Sequence, residues 1–240
     1  MNEREKILNA VRAALRSEPR IGTSASNIEV DLDDGTLTLS GDVETIAIKK
    51  LALEHAAALP AVRGIVDRLR VRTAVSMGDR EISDHVRDAL LQEPAFAECS
   101  IAIRRGDKLE FVREPDPHFG SIEFEVAGGI VTLNGEVPSL GRKRLAGVLA
   151  WWVPGSRDVI NGMAVVPEEE DTPDEIEEAV RVALEKDPFV NATQIRVGVR
   201  GAVVRLTGTV PSTAERDMAA FDAWYVFGVD DVKNEIIVRP

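Results

Sequence analysis

The chain says one thing three times. Leu37-Thr38-Leu39-Ser40-Gly41-Asp42-Val43 returns as Val131-Thr132-Leu133-Asn134-Gly135-Glu136-Val137 and again as Val204-Arg205-Leu206-Thr207-Gly208-Thr209-Val210. A fixed internal repeat limits the fold to one small unit used in tandem. Apolar and polar residues alternate in each copy, which marks a half-buried strand. Gly41, Gly135 and Gly208 are read as structural turn glycines that end it, at a place needing positive φ or a close backbone approach.

The flanking pieces recur in the same order. Upstream lies a helix with an apolar stripe: Ile7, Val11, Ala14, Leu15, then Ile82, Val86, Ala89, Leu90, then Ile176, Val180, Ala183, Leu184. Pro19, Pro94 and Pro188 follow and fix the helix ends. Asp79, and Asp174 or Thr172, suit the N-caps of the second and third copies. Ile28, Ile122 and Ile195 open a first strand, and Asp33-Asp34-Gly35, Gly128-Gly129 and Arg200-Gly201 are hairpin turns between the strands. A second helix is expected over about 44–59, 139–152 and 212–226, with Ser139, Ser212 and Thr213 as start signals. A last strand holds Asp67, Asn161 and Asn234 at one repeated place, where the side chain can satisfy nearby backbone groups.

The fold class is therefore α+β: three tandem αββαβ modules of about 65–70 residues, each a three-stranded mixed sheet covered on one face by two helices. The modules span 1–73, 79–167 and 172–240. The linkers are about 72–80 and the run Pro167-Glu168-Glu169-Glu170-Asp171-Thr172-Pro173, which reads as extended and solvated. The second module carries an insertion of about 98–120. There Ile101, Ile103, Leu109 and Phe111 flank Arg105-Gly106-Asp107-Lys108 as an extra β-hairpin, and Glu114-Pro115-Asp116-Pro117 returns the chain. The insertion is either a functional surface or a tolerated decoration.

The strand with Leu-x-Gly-x-Val, followed by a helix and a strand with Val-x-Asn-x-Ile-x-Val, resembles the BON domain. Val204 to Val210 with Val232 to Val238 match best, then Val131 to Val137 with Val159 to Val165; the first copy has Asp67 for the asparagine. The resemblance implies non-catalytic binding modules, with phospholipid membrane surfaces as proposed ligands in bacterial osmotic-stress proteins. It also extends to transport-associated channels and to a potassium-binding cytoplasmic protein. It carries over no catalytic residue and no cofactor.

The residues themselves agree with that. His55, His85 and His118 fall at different repeat positions, so nothing converges them for metal or base work. Cys99 has no sequence-adjacent partner and reads as a buried, inert thiol. Gly128-Gly129 lacks the pattern of a phosphate loop, and Glu168 to Asp171 lacks that of a calcium loop. No catalytic, cofactor or metal site is expected, and no enzyme.

Aromatic residues are scarce, so their clustering matters. Trp151-Trp152 ends helix two of the second copy, Trp224-Tyr225 takes the same places in the third, and Ala57-Ala58 in the first. Arg142-Lys143-Arg144 starts that helix in the second copy. These seven residues suit contact with an anionic lipid surface or a partner, or packing between repeats. A net charge of -12 disfavours nucleic acid. Neither the start Met1-Asn2-Glu3-Arg4-Glu5-Lys6 nor any later window has the apolar core of a leader or a span. A cytoplasmic chain is expected if that start is authentic, a periplasmic one if a leader was removed. The functional expectation is a non-catalytic binding protein at a phospholipid membrane or envelope surface in stress protection. The alternatives are a cytoplasmic protein-interaction scaffold, self-association included, and a small-ion sensor of the potassium type.

Overall fold

A computed structural model describes residues 2–113 and 119–239. Glu114-Pro115-Asp116-Pro117 and His118 lie outside the described residues. The chain forms two compact units, Met1–Arg72 and Thr73–Pro240.

The first unit is one module. Helix α1 (Glu3–Ser17) buries Leu8, Val11 and Leu15, and α2 is Ile46–Ala57. The strands are β1 (Glu29–Asp33), β2 (Thr36–Val43) and β3 (Gly64–Val71). β1 runs antiparallel to β2, and β3 parallel to it. The helices cover Leu32, Leu37, Leu39, Val43 and Leu69, which form the core.

The second unit holds two modules. The earlier contains α3 (Asp79–Gln92), β4 (Ser100–Arg105), β5 (Lys108–Arg113), β6 (Ser121–Ala127) and β7 (Ile130–Val137), then α4 (Leu140–Trp152), β8 (Asp158–Asn161) and β9 (Ala164–Val165). The later contains α5 (Pro173–Lys186), β10 (Ile195–Arg200), β11 (Val203–Val210), α6 (Thr213–Tyr225) and β12 (Asp231–Val238). α4 packs on both α5 and α6, so the two helical layers meet.

Four expectations need correction. The insertion does form a hairpin, but it is not separate from the sheet. β4 lies parallel to β6, giving the order β5-β4-β6-β7-β8 with β9 beside β7. The middle sheet is thus six-stranded, because Ile101 and Ile103 alternate in step with the core of β6.

Second, the repeated glycines end no strand. Pairing runs through them to Val43, Val137 and Val210. Their φ values are 126°, 110° and 141°, and a Cβ would sit 2.1, 2.2 and 2.0 Å from the carbonyl oxygens of Asn27, Ser121 and Gln194. The glycine is needed for a kinked close approach within a strand.

Third, Asp79 is not a cap. Gly78 takes that position, and the Asp79 carboxylate accepts from the amides of Gly128 and Gly129 at 2.9 and 2.8 Å. It clamps the β6–β7 turn instead. Thr172, Ser139 and Ser212 do cap α5, α4 and α6.

Fourth, the acidic linker is exposed but not merely solvated. Alternate carboxylates reach back to the preceding module: Glu169 accepts from the Leu140 amide at 2.7 Å, and Asp171 pairs with Arg144 at 2.5 Å.

Candidate functional site

The residues singled out on helix two converge where α4 meets α5 and α6. Arg144 is fully enclosed. Its Nε donates to the Phe227 carbonyl at 2.9 Å and its Nη2 pairs with Asp171. A guanidinium survives such burial only with partners, and both come from the next module or its linker. Beside it, Lys143 Nζ lies 5.1 Å from the centre of the Phe227 ring.

Two turns further along α4 the contact becomes aromatic. Trp151 stacks on Tyr225 with centroids 5.5 Å apart and planes 15° from parallel. Trp152 Nε1 donates to Asp222 Oδ1 at 2.9 Å. Trp224 is buried in the third module. Six of the seven residues therefore lie in or behind the contact between modules. Arg142 is half-buried, on the rim of a groove of about 210 Å³ between α4 and α5. The groove is below the volume typical of small-molecule sites.

Sequence reasoning missed the acid at the end of each first helix. Glu18, Glu93 and Asp187 are the C-caps of α1, α3 and α5, each extended because proline follows. Each carboxylate accepts the amide two residues on, at 3.0, 3.0 and 2.8 Å. The recurring Glu/Asp-Pro pair was the visible signal. In the first module the acid meets His55 at 3.2 Å; hydrogen bonds from Arg20 and His55 hold Glu18 down to about 2. In the second, Lys186 of the third module pairs with Glu93 at 2.9 Å. In the third, Asp187 faces Asp222. Burial, with Asp187 beside it, pushes the Asp222 carboxyl up to about 8, and its Oδ2 has no partner among the described residues.

The repeated amide position differs in what it binds. Asn161 and Asn234 donate to the backbone carbonyls of Lys143 and Arg216 at 2.7 and 2.9 Å, while the Lys143 ammonium lies over Phe227 and Arg216 pairs with Asp217 at 2.8 Å. Asp67 cannot donate. It pairs instead with Lys49, which turns inward and is buried.

Helices cover one face of each sheet, and the other face is open. On the third sheet it carries Arg196, Arg200, Arg205, Lys233 and Arg239, all exposed. Lys233 pairs with Asp231 at 2.5 Å and Arg205 with Glu235 at 3.5 Å. On the middle sheet the open face carries Glu123, Glu125 and Glu136 around Arg104, with Leu109, Phe111 and Ile160 exposed. On the first it carries Glu29, Asp31, Asp33 and Asp42 against Arg68 and Arg70.

Among the described residues no three His, Cys, Asp or Glu side chains gather as a metal site, and no helix is long and apolar enough to cross a membrane. Cys99 is buried, its Sγ 3.2 Å from the Phe119 carbonyl, and burial pushes the thiol up. His85 is exposed on α3.

No curated protein matches the chain. Two solved structures of CdsD, a structural protein of the type III secretion system of Chlamydia trachomatis, resemble it at 14% and 15% identity. They cover 100% and 98% of this chain and 100% and 93% of their own, with a TM-score of 0.26 in both cases, too low to carry an argument. The BON domain model matches residues 4–73, 108–167 and 172–240. The second match begins within the inserted hairpin, which separates α3 from the rest of its module. With three matches across most of its length, the chain belongs to the BON domain family.

Proposed function

We propose that the chain is a non-catalytic binding scaffold that engages a protein partner through its open sheet faces, with the second and third modules held as one body. The observation that carries this is the burial of Arg144. The cationic and aromatic residues of α4 are engaged between modules, so that helix has little left to offer a lipid surface. The binding surfaces left are the uncovered sheets.

A phospholipid surface is the second reading. It is favoured by one feature, the cationic face of the third sheet, where exposed Val203 and Ile237 lie among the arginines.

A photo-reactive side chain placed at Thr132 or Thr207, at the middle of the two open faces, separates the readings in cells that make the protein. Protein adducts from these positions support the scaffold. Lipid adducts support the second reading. Adducts from neither, with adducts from Lys143 instead, overturn both.

A further inference from the structure

The two open faces of the second unit differ in sign. The third sheet shows five cations against Asp231 and Glu235; the middle sheet shows three glutamates against Arg104. Both have exposed apolar residues among the charges: Val203 and Ile237 on one, Leu109, Phe111 and Ile160 on the other. Arg196 and Arg200 on the one face and Glu125 and Glu136 on the other have no ion-pair partner among the described residues. Because the modules join through their helices, the two faces lie on the outside of one body and do not meet within a copy.

We propose that the cationic face of the third sheet docks on the acidic face of the middle sheet of a second copy. This rests on the reading of the open sheets as binding surfaces and names the partner. The contact is heterologous: each copy keeps one free face of each sign, so association continues head to tail. Face-to-face sheet packing is a standard geometry, with side chains from both faces interleaved. The first sheet is also acidic, but of its open-face residues only Val66 is a large exposed apolar one.

The size of the faces sets the strength. Three strands about 4.8 Å apart and eight residues long at about 3.3 Å each give roughly 350–400 Å² per partner. The total falls below the roughly 1,200 Å² of stable complexes, in the range of transient ones. Charge pairing at exposed faces is screened, so the assembly is weak and salt-sensitive.

The test uses the full chain in sedimentation over a wide concentration series, at about 0.1 M and about 1 M salt, where the Debye length is about 10 Å and 3 Å. Wild type is expected to rise above its single-copy mass of 26.1 kDa with concentration and to return to it at high salt. Arg196→Glu with Arg200→Glu, and separately Glu125→Arg with Glu136→Arg, each stay single, with tryptophan emission unchanged as evidence of folding. The equal mixture of the two variants is the deciding arm. Each retains the face the other lacks, and the two reversed faces are again opposite in sign, so the mixture regains with concentration the assembly that neither variant shows alone; a mixture that stays at the single-copy mass overturns the proposal.

A wild type that stays single at every concentration overturns the proposal. So does assembly that is lost through Glu29→Lys with Asp33→Lys but not through the middle-sheet variant. A single-copy wild type that still gives protein adducts from Thr207 removes the self-association alone and leaves the scaffold standing.

Discussion

Replacing Asp222 by asparagine is expected to make the second unit more stable, against the usual direction of mutation. Asp222 is 3% exposed and its carboxyl is pushed from 3.8 up to about 8. Between those values the folded state holds a proton that the unfolded chain has released. Stability from this group is present in full below about pH 4 and falls as pH rises through the window to about 8. One pKa unit corresponds to about 1.36 kcal/mol, so at pH 7 holding that proton costs the fold up to about 4 kcal/mol. Asparagine needs no proton. Its oxygen still accepts from Trp152 Nε1, and its amide group can donate toward Asp187. Because the burial cost of a polar group remains, a gain of about 2–4 kcal/mol at pH 7 is expected, shrinking toward pH 5. For a unit of this size that corresponds to a rise of roughly 5–12 °C in melting temperature. All three tryptophans lie in the second unit, so their fluorescence follows it alone. Melts from pH 5 to 9 should show wild type losing stability with rising pH and Asp222→Asn nearly level. A level wild-type profile, or a variant that melts below wild type at pH 8, would show that Asp222 holds no proton in the folded state at neutral pH.

Three more outcomes follow from the geometry. Gly208→Ala places a Cβ 2.0 Å from the Gln194 carbonyl oxygen at φ 141° and should cost about 3–5 kcal/mol in urea unfolding. Gly198→Ala, with open space around it, should stay within about 0.5 kcal/mol. Asp67→Asn removes the counter-charge of the buried Lys49, which keeps its hydrogen bond to the Leu69 carbonyl at 2.9 Å, and should destabilise the first unit by about 3 kcal/mol, read by far-ultraviolet circular dichroism because that unit has no tryptophan. Arg144→Met leaves the Phe227 carbonyl without its donor, while Asp171, 42% exposed, regains water; about 1–3 kcal/mol should be lost from the second unit.

The repeat made most of the fold legible. Periods of two and 3.6 are properties of consecutive residues, so the strands carrying Leu39, Leu133 and Leu206 and the stripes of α1, α3 and α5 could be read directly. The glycines were found for the right reason, but their place inside the strand could not be. It depends on a carbonyl fourteen residues upstream. The residues singled out on helix two were harder still. Arg142-Lys143-Arg144 reads as a surface cluster because charge is normally exposed, and only the approach of Phe227 and Asp171 encloses its last member. Asp67 looked like a weak copy of an asparagine; the inward turn of Lys49 shows it to be a different solution. The acids before Pro19, Pro94 and Pro188 were in view, but their three different partners come from three different packings.

Because α4 packs on both α5 and α6, the second and third modules are expected to tumble as one body. Backbone amide relaxation by NMR on the full chain measures this most directly. One shared tumbling time is expected for the amides of residues 79–167 and 172–239, and a split into two after Arg144→Met combined with Trp152→Ala. Two different tumbling times in the wild-type protein would contradict it, and would return Arg144 and the tryptophans to solvent.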